Sequence, residues 1–406
     1  MNRLYSLFLI VLSLTLVISF LSCSSPTDDD SDNSNAIDTL KVGVIIPISG
    51  DGPFQKDSES ALVSIAINDI NSSLEENSSK KYIKAEIVDS KSDAEEIIAA
   101  VQNFEEKGID VIVQTSTSSN LQAISDFVNE NNMLLLNNSS TAVELSQDDN
   151  IFRLVPNDIE MSKKIAEFAE SKGIENLLVI HRNDLWGEGL SQEIVEQYES
   201  RAKTVINEWG YETRFQEDDI NEILSEVNDT IAEISSTIDI NKIGIVCISY
   251  NEGIDILELA ANYENLDKVN WLGSDGMVEN TALLTDSVAA EFSSKVGFYC
   301  PIVAEPDNQS AADIKNQVSQ ETGYEPYSWI YFLYDALQLS AKTVTSEDYH
   351  STTKSLKEVL LTEAENYSGV TGSIDFDTNG DRSSYLYDFW YVEQTNGSYK
   401  WTKVIE

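Results

Sequence analysis

The chain has 406 residues and carries 70 acidic against 26 basic side chains, a formal net charge of −44. That balance leaves no basic face for phosphate, so nucleic acid is excluded as a partner, and anionic lipid would repel the body of the protein. The length exceeds one ordinary core and suits two lobes.

The acidic residues are spread along the whole chain and read as a solvated surface. Adaptation to a salty exterior, where screening relieves self-repulsion, is one hypothesis for them, and equal stability in dilute buffer and molar salt would sink it.

At the N-terminus Arg3 precedes an apolar run over residues 7–21 that is short for a membrane span and is followed by an acidic flank. This is the pattern of a signal peptide over residues 1–22. A small residue directly before a cysteine, Ser22-Cys23, followed by Ser24-Ser25, matches a lipoprotein processing site and makes Cys23 the acylated residue. The alternative is an ordinary secretory signal. Residues 23–39 are Ser, Asp, Asn and Pro with little to bury, which predicts a flexible acidic tether.

From residue 40 apolar strands alternate with amphipathic helices. Residues 41–48 predict a strand, and Leu62, Ile65, Ala66 and Ile70 recur at helical spacing. Residues 85–89 form the next strand. Ser92-Asp93-Ala94-Glu95 reads as a capping box before a helix with Ile97, Ile98 and Val101 inward. Residues 109–113, 134–136, 177–180, 243–248 and 269–272 continue the series of short apolar strands, each followed by a helical pattern. Continuous apolar strands between helices imply parallel sheets covered on both faces. There are too many for one sheet, and Val155-Pro156-Asn157 marks the break. Late in the chain an apolar helix is expected over residues 327–341. Residues 369–382 then read as a short strand and an Asn379-Gly380 turn, leading to an aromatic strand over 385–392.

Several chemistries find no support. Asp375 to Asp381 resembles half of a calcium loop, but Leu386 stands where the twelfth-position carboxylate belongs. The only two histidines, His181 and His350, have no ligand-spaced partners, so no metal is expected. No dinucleotide fingerprint follows the first strand and no nucleophile elbow is present. No cofactor and no enzymatic activity are therefore expected. Besides Cys23 the chain has Cys247 and Cys300, which form no disulfide framework, although a bridge between them remains an alternative.

The run Gly369-Val370-Thr371-Gly372-Ser373-Ile374-Asp375-Phe376-Asp377 closely resembles the late signature of type 1 periplasmic binding proteins of the branched-chain amino-acid group. Val42-Gly43-Val44-Ile45-Ile46-Pro47-Ile48-Ser49-Gly50 is similar to that family's first strand and loop. Asp184-Leu185-Trp186-Gly187-Glu188-Gly189 is similar to its second-lobe turn, and Trp329 to Leu339 to its long late helix. The resemblance implies an α/β fold of two doubly wound parallel-sheet lobes joined by a three-strand hinge, a Venus-flytrap. Its lobes would comprise residues 40–156 plus 300–382 and residues 157–299 plus 383–406. Crossings are implied near Pro156, at residues 299–301 and at residues 381–385.

The same resemblance implies a ligand site. Thr117 would meet an amino acid's carboxylate, and its Ser/Thr-rich loop opening a helix also suits an anion on physical grounds. The alternative is that these hydroxyls merely cap the helix. Ser139 would offer its carbonyl to the ammonium and Thr141 its hydroxyl and N–H, unless Thr141 is an ordinary cap. Trp186 and Tyr250 would lay their faces on the ligand from the second lobe, and Asp275 would bind the ammonium, unless it is a turn aspartate. Phe54 or Gln55 would line the side-chain pocket.

The function this implies is that of an extracytoplasmic, membrane-anchored solute-binding lipoprotein of an ABC importer. It would bind a free amino acid by hinge closure and dock on a separate membrane permease. Two alternatives stay open: a non-amino-acid solute such as an amide, urea or aromatic acid, and a sensory input protein.

Overall fold

The computed structural model describes residues 37–405 except Asp51 and Phe215. The signal peptide, Cys23 and most of the tether therefore lie outside the described residues.

The first lobe opens as a regular alternation of strand and helix. In order come β1 (Asp38–Ile46), α1 (Lys56–Glu76), β2 (Lys81–Asp89), α2 (Ala94–Glu106), β3 (Val111–Gln114), α3 (Ser118–Glu130), β4 (Leu134–Asn137) and β5 (Ile151–Arg153). The strands make one parallel sheet in the order β2-β1-β3-β4-β5. Strands β3 and β4 are buried along their whole length, as expected of a sheet covered on both faces. Strand β1 starts at Asp38, paired with Lys81, so the tether ends earlier than its composition suggests. Helix α2 is capped by the Asp93 side chain, which accepts from the N–H groups of Glu95 and Glu96. Ile97 and Val101 are buried, whereas Ile98 points outward, at the edge of the apolar stripe.

The second lobe repeats the plan with α4 (Asp158–Ser171), β6 (Asn176–Arg182), α5 (Leu185–Ser200), β7 (Thr204–Tyr211), α6 (Glu217–Ile234), β8 (Ile243–Ile248), α7 (Gly253–Ala260), β9 (Asn270–Gly273), α8 (Thr281–Thr285), α9 (Ser287–Val296) and β10 (Tyr299–Val303). Its parallel strands are ordered β7-β6-β8-β9-β10, the same winding as in the first lobe. The remaining elements are α10 (Gln309–Thr322), α11 (Trp329–Thr345), α12 (Leu356–Glu365), β11 (Ser368–Gly369), β12 (Gly372–Ser373), β13 (Tyr387–Thr395) and β14 (Ser398–Lys403). Helix α11 packs on α1, β1, β3 and β4, and so closes the first lobe. Strands β13 and β14 extend the second sheet, antiparallel beside β10.

The late glycine-rich run does not form the simple hairpin its sequence suggests. Strands β11 and β12 pair with each other, the Asn379-Gly380 turn closes on a Phe376–Arg382 bridge, and the aromatic strand leaves for the other sheet. Asp335 on α11 organises the run. Its carboxylate accepts from the N–H groups of Val370 and Thr371 at 2.8 Å each, and from the hydroxyls of Tyr367 at 2.8 Å and Thr371 at 2.5 Å.

The chain thus passes between lobes at residues 154–157, 304–308 and 383–386. The second crossing falls after β10 rather than at residues 299–301, because Cys300 and Pro301 pair with β13 in the second sheet. Cys247 and Cys300 are both buried and both free thiols.

Candidate functional site

In a sheet wound in the order 2-1-3-4-5, the chain leaves neighbouring strands in opposite directions, opening a crevice at their carboxyl ends. Both lobes have this winding, and the loops at those ends line one shared cavity of about 490 Å3, mouth included. This is within the roughly 300–1,000 Å3 of small-molecule sites.

The first lobe contributes two stitched loops. Asn137 at the end of β4 accepts the N–H groups of Ser139 and Ser140 on its side-chain oxygen, at 2.9 and 2.7 Å, folding the loop back on itself. The hydroxyls of Ser139 and Ser140 both donate to the Ser116 carbonyl at 2.9 Å, and Ser139 Oγ accepts from the Ser116 N–H. Thr117 sits between these tethers at the N-cap of α3, yet its hydroxyl makes no capping bond. The cap explanation for this residue therefore fails. A free hydroxyl and the unsatisfied N–H groups of a helix start face the cavity, which suits an anion. Thr141 also lines the cavity and does not cap the 3-10 turn that follows, whose N-cap is Ala142.

Ahead of α1, Phe54 lines the cavity. Gln55 does not line this inner part: its amide oxygen accepts the Tyr327 N–H at 3.0 Å and so positions a wall residue. Tyr327, expected inside the late helix, lies just before α11 and lines the cavity beside Trp329. Its hydroxyl donates to the carboxylate of Glu59, a buried side chain on α1.

From the second lobe come Trp186, Tyr250 and Asp275, after β6, β8 and β9. Trp186 is in the first turn of α5, capped by Asp184, rather than in an open turn; it is almost wholly buried. It stacks on Tyr250 with ring centroids 4.5 Å apart and planes within 5°. The Arg182 guanidinium lies 4.1 Å from the Tyr250 ring centre, held by Asp184 and Glu252 at 2.7 Å each. With the indole on one face and the cation on the other, Tyr250 has no face left for a ligand and presents only its edge. That corrects the role expected of it.

Asp275 begins a short 3-10 turn after β9 and lines the cavity. Burial pushes its carboxyl up to about 7, against backbone N–H groups of Gly276 and of Asp275 itself that favour the anion. Among the described residues that line the cavity, none is cationic. Behind it is a group the sequence did not reveal. Asp158, at the start of α4, is wholly buried, and neither carboxyl oxygen has a hydrogen-bond partner within normal geometry. Burial, then the neighbouring Asp275, push it well above the usual carboxylate range, while Thr141 and Arg153 pull the other way. Its only sequence signal was the helix-start pair Asn157-Asp158.

The two lobes also touch at the rim, where Asn251 donates from its side chain to the Gly52 carbonyl at 3.0 Å. Among the described residues, no group of three or more His, Cys, Asp or Glu side chains could hold a metal ion, and no helix is long and apolar enough to cross a membrane.

Two matching lobes with a polar, anion-accepting loop on one side and a carboxylate on the other define a two-lobed ligand-binding protein. The chain belongs to the family described as receptor family ligand binding region, which it matches over residues 60–395. It is 26% identical over 373 residues to an uncharacterized protein of Methanocaldococcus jannaschii, covering 87% of each chain. It is 23% identical over 380 residues to the leucine-, isoleucine-, valine-, threonine-, and alanine-binding protein of Pseudomonas aeruginosa, covering 90% of this chain and 94% of the relative. In fold it is similar to an ABC transporter substrate-binding protein from Desulfitobacterium hafniense in complex with Leu. There the TM-score is 0.68 at 17% identity, over 90% of this chain and 100% of the other. That family is defined by a ligand-binding region, and membership in it makes the chain a binding protein rather than an enzyme.

Proposed function

We propose that the protein is the extracytoplasmic solute-binding component of an ABC importer. It holds a free amino acid, of the branched-chain type or related, in the cleft between its lobes. The observation that carries this reading is the polarity of the cavity between the lobes. The unspent Thr117 hydroxyl and the α3 N-terminus lie on the first lobe, and the Asp275 carboxylate lies on the second. A zwitterion has a group for each end. Among the described residues nothing donates to the Ser139 carbonyl, which leaves it for the ligand ammonium beside Asp275.

Binding would work by hinge closure across the crossings at residues 154–157, 304–308 and 383–386. The ligand touches both lobes only in the closed form, so its differential affinity shifts the population toward closure. The closed form is what a membrane permease would recognise, with Cys23 as the lipid anchor.

Calorimetric titration of refolded protein with the twenty amino acids tests the reading. Micromolar or tighter binding of one chemical group of amino acids supports it. Silence from a folded protein refutes it and returns the cleft to a solute without an amino group.

A further inference from the structure

The cavity does not end at Phe54, Tyr327 and Val278. A second chamber shares these three residues, with Pro53 and Gly276, and continues outward to Gln55, Asn251 and Glu279. With its mouth it adds about 500 Å3.

Most polar side chains there are already engaged. The Asn251 amide donates to the Gly52 carbonyl and accepts from Asn280 at 2.8 Å, and the Gln55 oxygen holds the Tyr327 N–H. Glu279 is different. Its Oε2 is shut off from solvent and has no hydrogen-bond partner among the described residues. The nearest cation, Lys315, is engaged with Glu305 at 3.3 Å and Glu325 at 3.1 Å. Burial, and after it Glu305, push the Glu279 carboxyl up to about 7 against Lys315 and the Ser328 N–H, with Glu325 adding to the rise. Glu279 lines a chamber whose described lining holds no cation, and its carboxyl has only the Ser328 N–H as a donor to set against burial, a cost that a cationic group entering the chamber would offset.

We propose that this chamber is a subsite for a second amine, so that the preferred ligand is an α-amino acid whose side chain ends in a cationic nitrogen. The α-ammonium meets Asp275 and the distal cation meets Glu279, while Phe54, Tyr327 and Val278 flank the methylenes between. Both carboxylates belong to one short segment of the second lobe, so the two cationic ends are drawn to the same lobe on closure. The proposal rests on the amino-acid reading above and extends it to longer side chains than the branched-chain ones.

L-lysine and L-norleucine differ only by the ε-ammonium, and both can be titrated into the refolded full chain, wild type and Glu279→Gln. Lysine is expected to bind wild type at least tenfold more tightly than norleucine. Glu279→Gln is expected to weaken lysine at least tenfold and leave norleucine within twofold. Norleucine binding as well as or better than lysine, or a variant that weakens both alike, overturns the subsite while leaving the amino-acid reading intact. If neither ligand nor any other amino acid binds folded protein, the amino-acid reading falls and the subsite with it.

Discussion

Arg153 and Asp381, 228 positions apart in sequence, form a two-pronged ion pair with both side chains buried; Nε lies 2.5 Å from Oδ1 and Nη2 lies 2.6 Å from Oδ2. Arg153 ends β5 just before the first crossing, and Asp381 comes just before the third. The same guanidinium donates to the Ala142 carbonyl at 2.6 Å, and Asp381 also accepts from Ser146 at 2.7 Å and Asn157 at 3.1 Å. The pair therefore joins two crossings to the base of the loop that carries Thr141. Asp381→Asn strands a buried guanidinium, and the expected cost is roughly 3–5 kcal/mol. Urea unfolding measures it; an unmoved midpoint would contradict this account.

Asp275→Ala removes the one carboxylate that lines the inner cavity among the described residues. An amino-acid ligand should then lose about 2 kcal/mol or more, roughly thirtyfold in Kd. Burial pushes the Asp275 carboxyl up to about 7, so below that pH it must lose a proton before it can pair with an ammonium. Affinity should fall with each pH unit below 7 and level off above it. Calorimetry from pH 5 to 8 reads the slope, and Asp275→Asn should flatten it.

Glu59 sets a pH dependence of stability that does not involve the ligand. Burial, opposed by the Tyr327 hydrogen bond and Lys56, raises its carboxyl from 4.5 to about 8. The folded chain holds this proton more tightly than the unfolded one. Its contribution is thus full below pH 4.5 and is lost as pH rises to 8, by about 1.4 kcal/mol per unit. Glu59→Gln should be less stable than wild type at pH 5 relative to its standing at pH 8, where it gains. Parallel thermal melts across that range would refute the assignment.

Gly369→Ala would place a methyl group 2.4 Å from the carboxylate atoms of Asp335. That carboxylate is fixed by four hydrogen bonds and cannot swing aside. A loss of about 1–3 kcal/mol is expected, seen as a lower Tm. A neutral substitution would mean the late signature tolerates movement that its packing forbids on steric grounds.

Asn251→Ala deletes the rim contact from the second lobe to Gly52. Affinity for any cleft ligand should weaken by about 0.5–1.5 kcal/mol with unfolding unchanged. Loss of stability without loss of affinity would place the contact in the core economy of one lobe instead of in closure.

The strands legible in the sequence were those buried on both faces, such as β8, where six consecutive residues are buried. Strand β7 was not legible, because at the sheet edge it alternates exposed polar residues with Trp209 and Tyr211 and shows no apolar run. In the site, Thr117, Ser139, Thr141, Trp186 and Asp275 could be placed because each follows a strand end in a recognisable loop. Tyr327 was read into the helix because its ring continues the apolar pattern, although Pro326 and the N-cap Ser328 mark a start at Trp329. Glu279 carried no signal: in so acidic a chain, one more carboxylate in a loop reads as surface until packing removes its water.

Because the chain crosses three times, neither lobe is a contiguous stretch of sequence. When a ribosome has completed residue 303, all the parallel strands of both sheets exist, yet neither lobe is finished. The first still lacks α11, its cover over β1, β3 and β4, and the second has an unpaired edge at β10 until β13 arrives. Arg153 waits even longer, since its carboxylate partner is made only near the end of synthesis. Truncations that aim to isolate one lobe by cutting at a single point will therefore yield fragments of both, and a separated lobe needs its late segments spliced back by a designed linker.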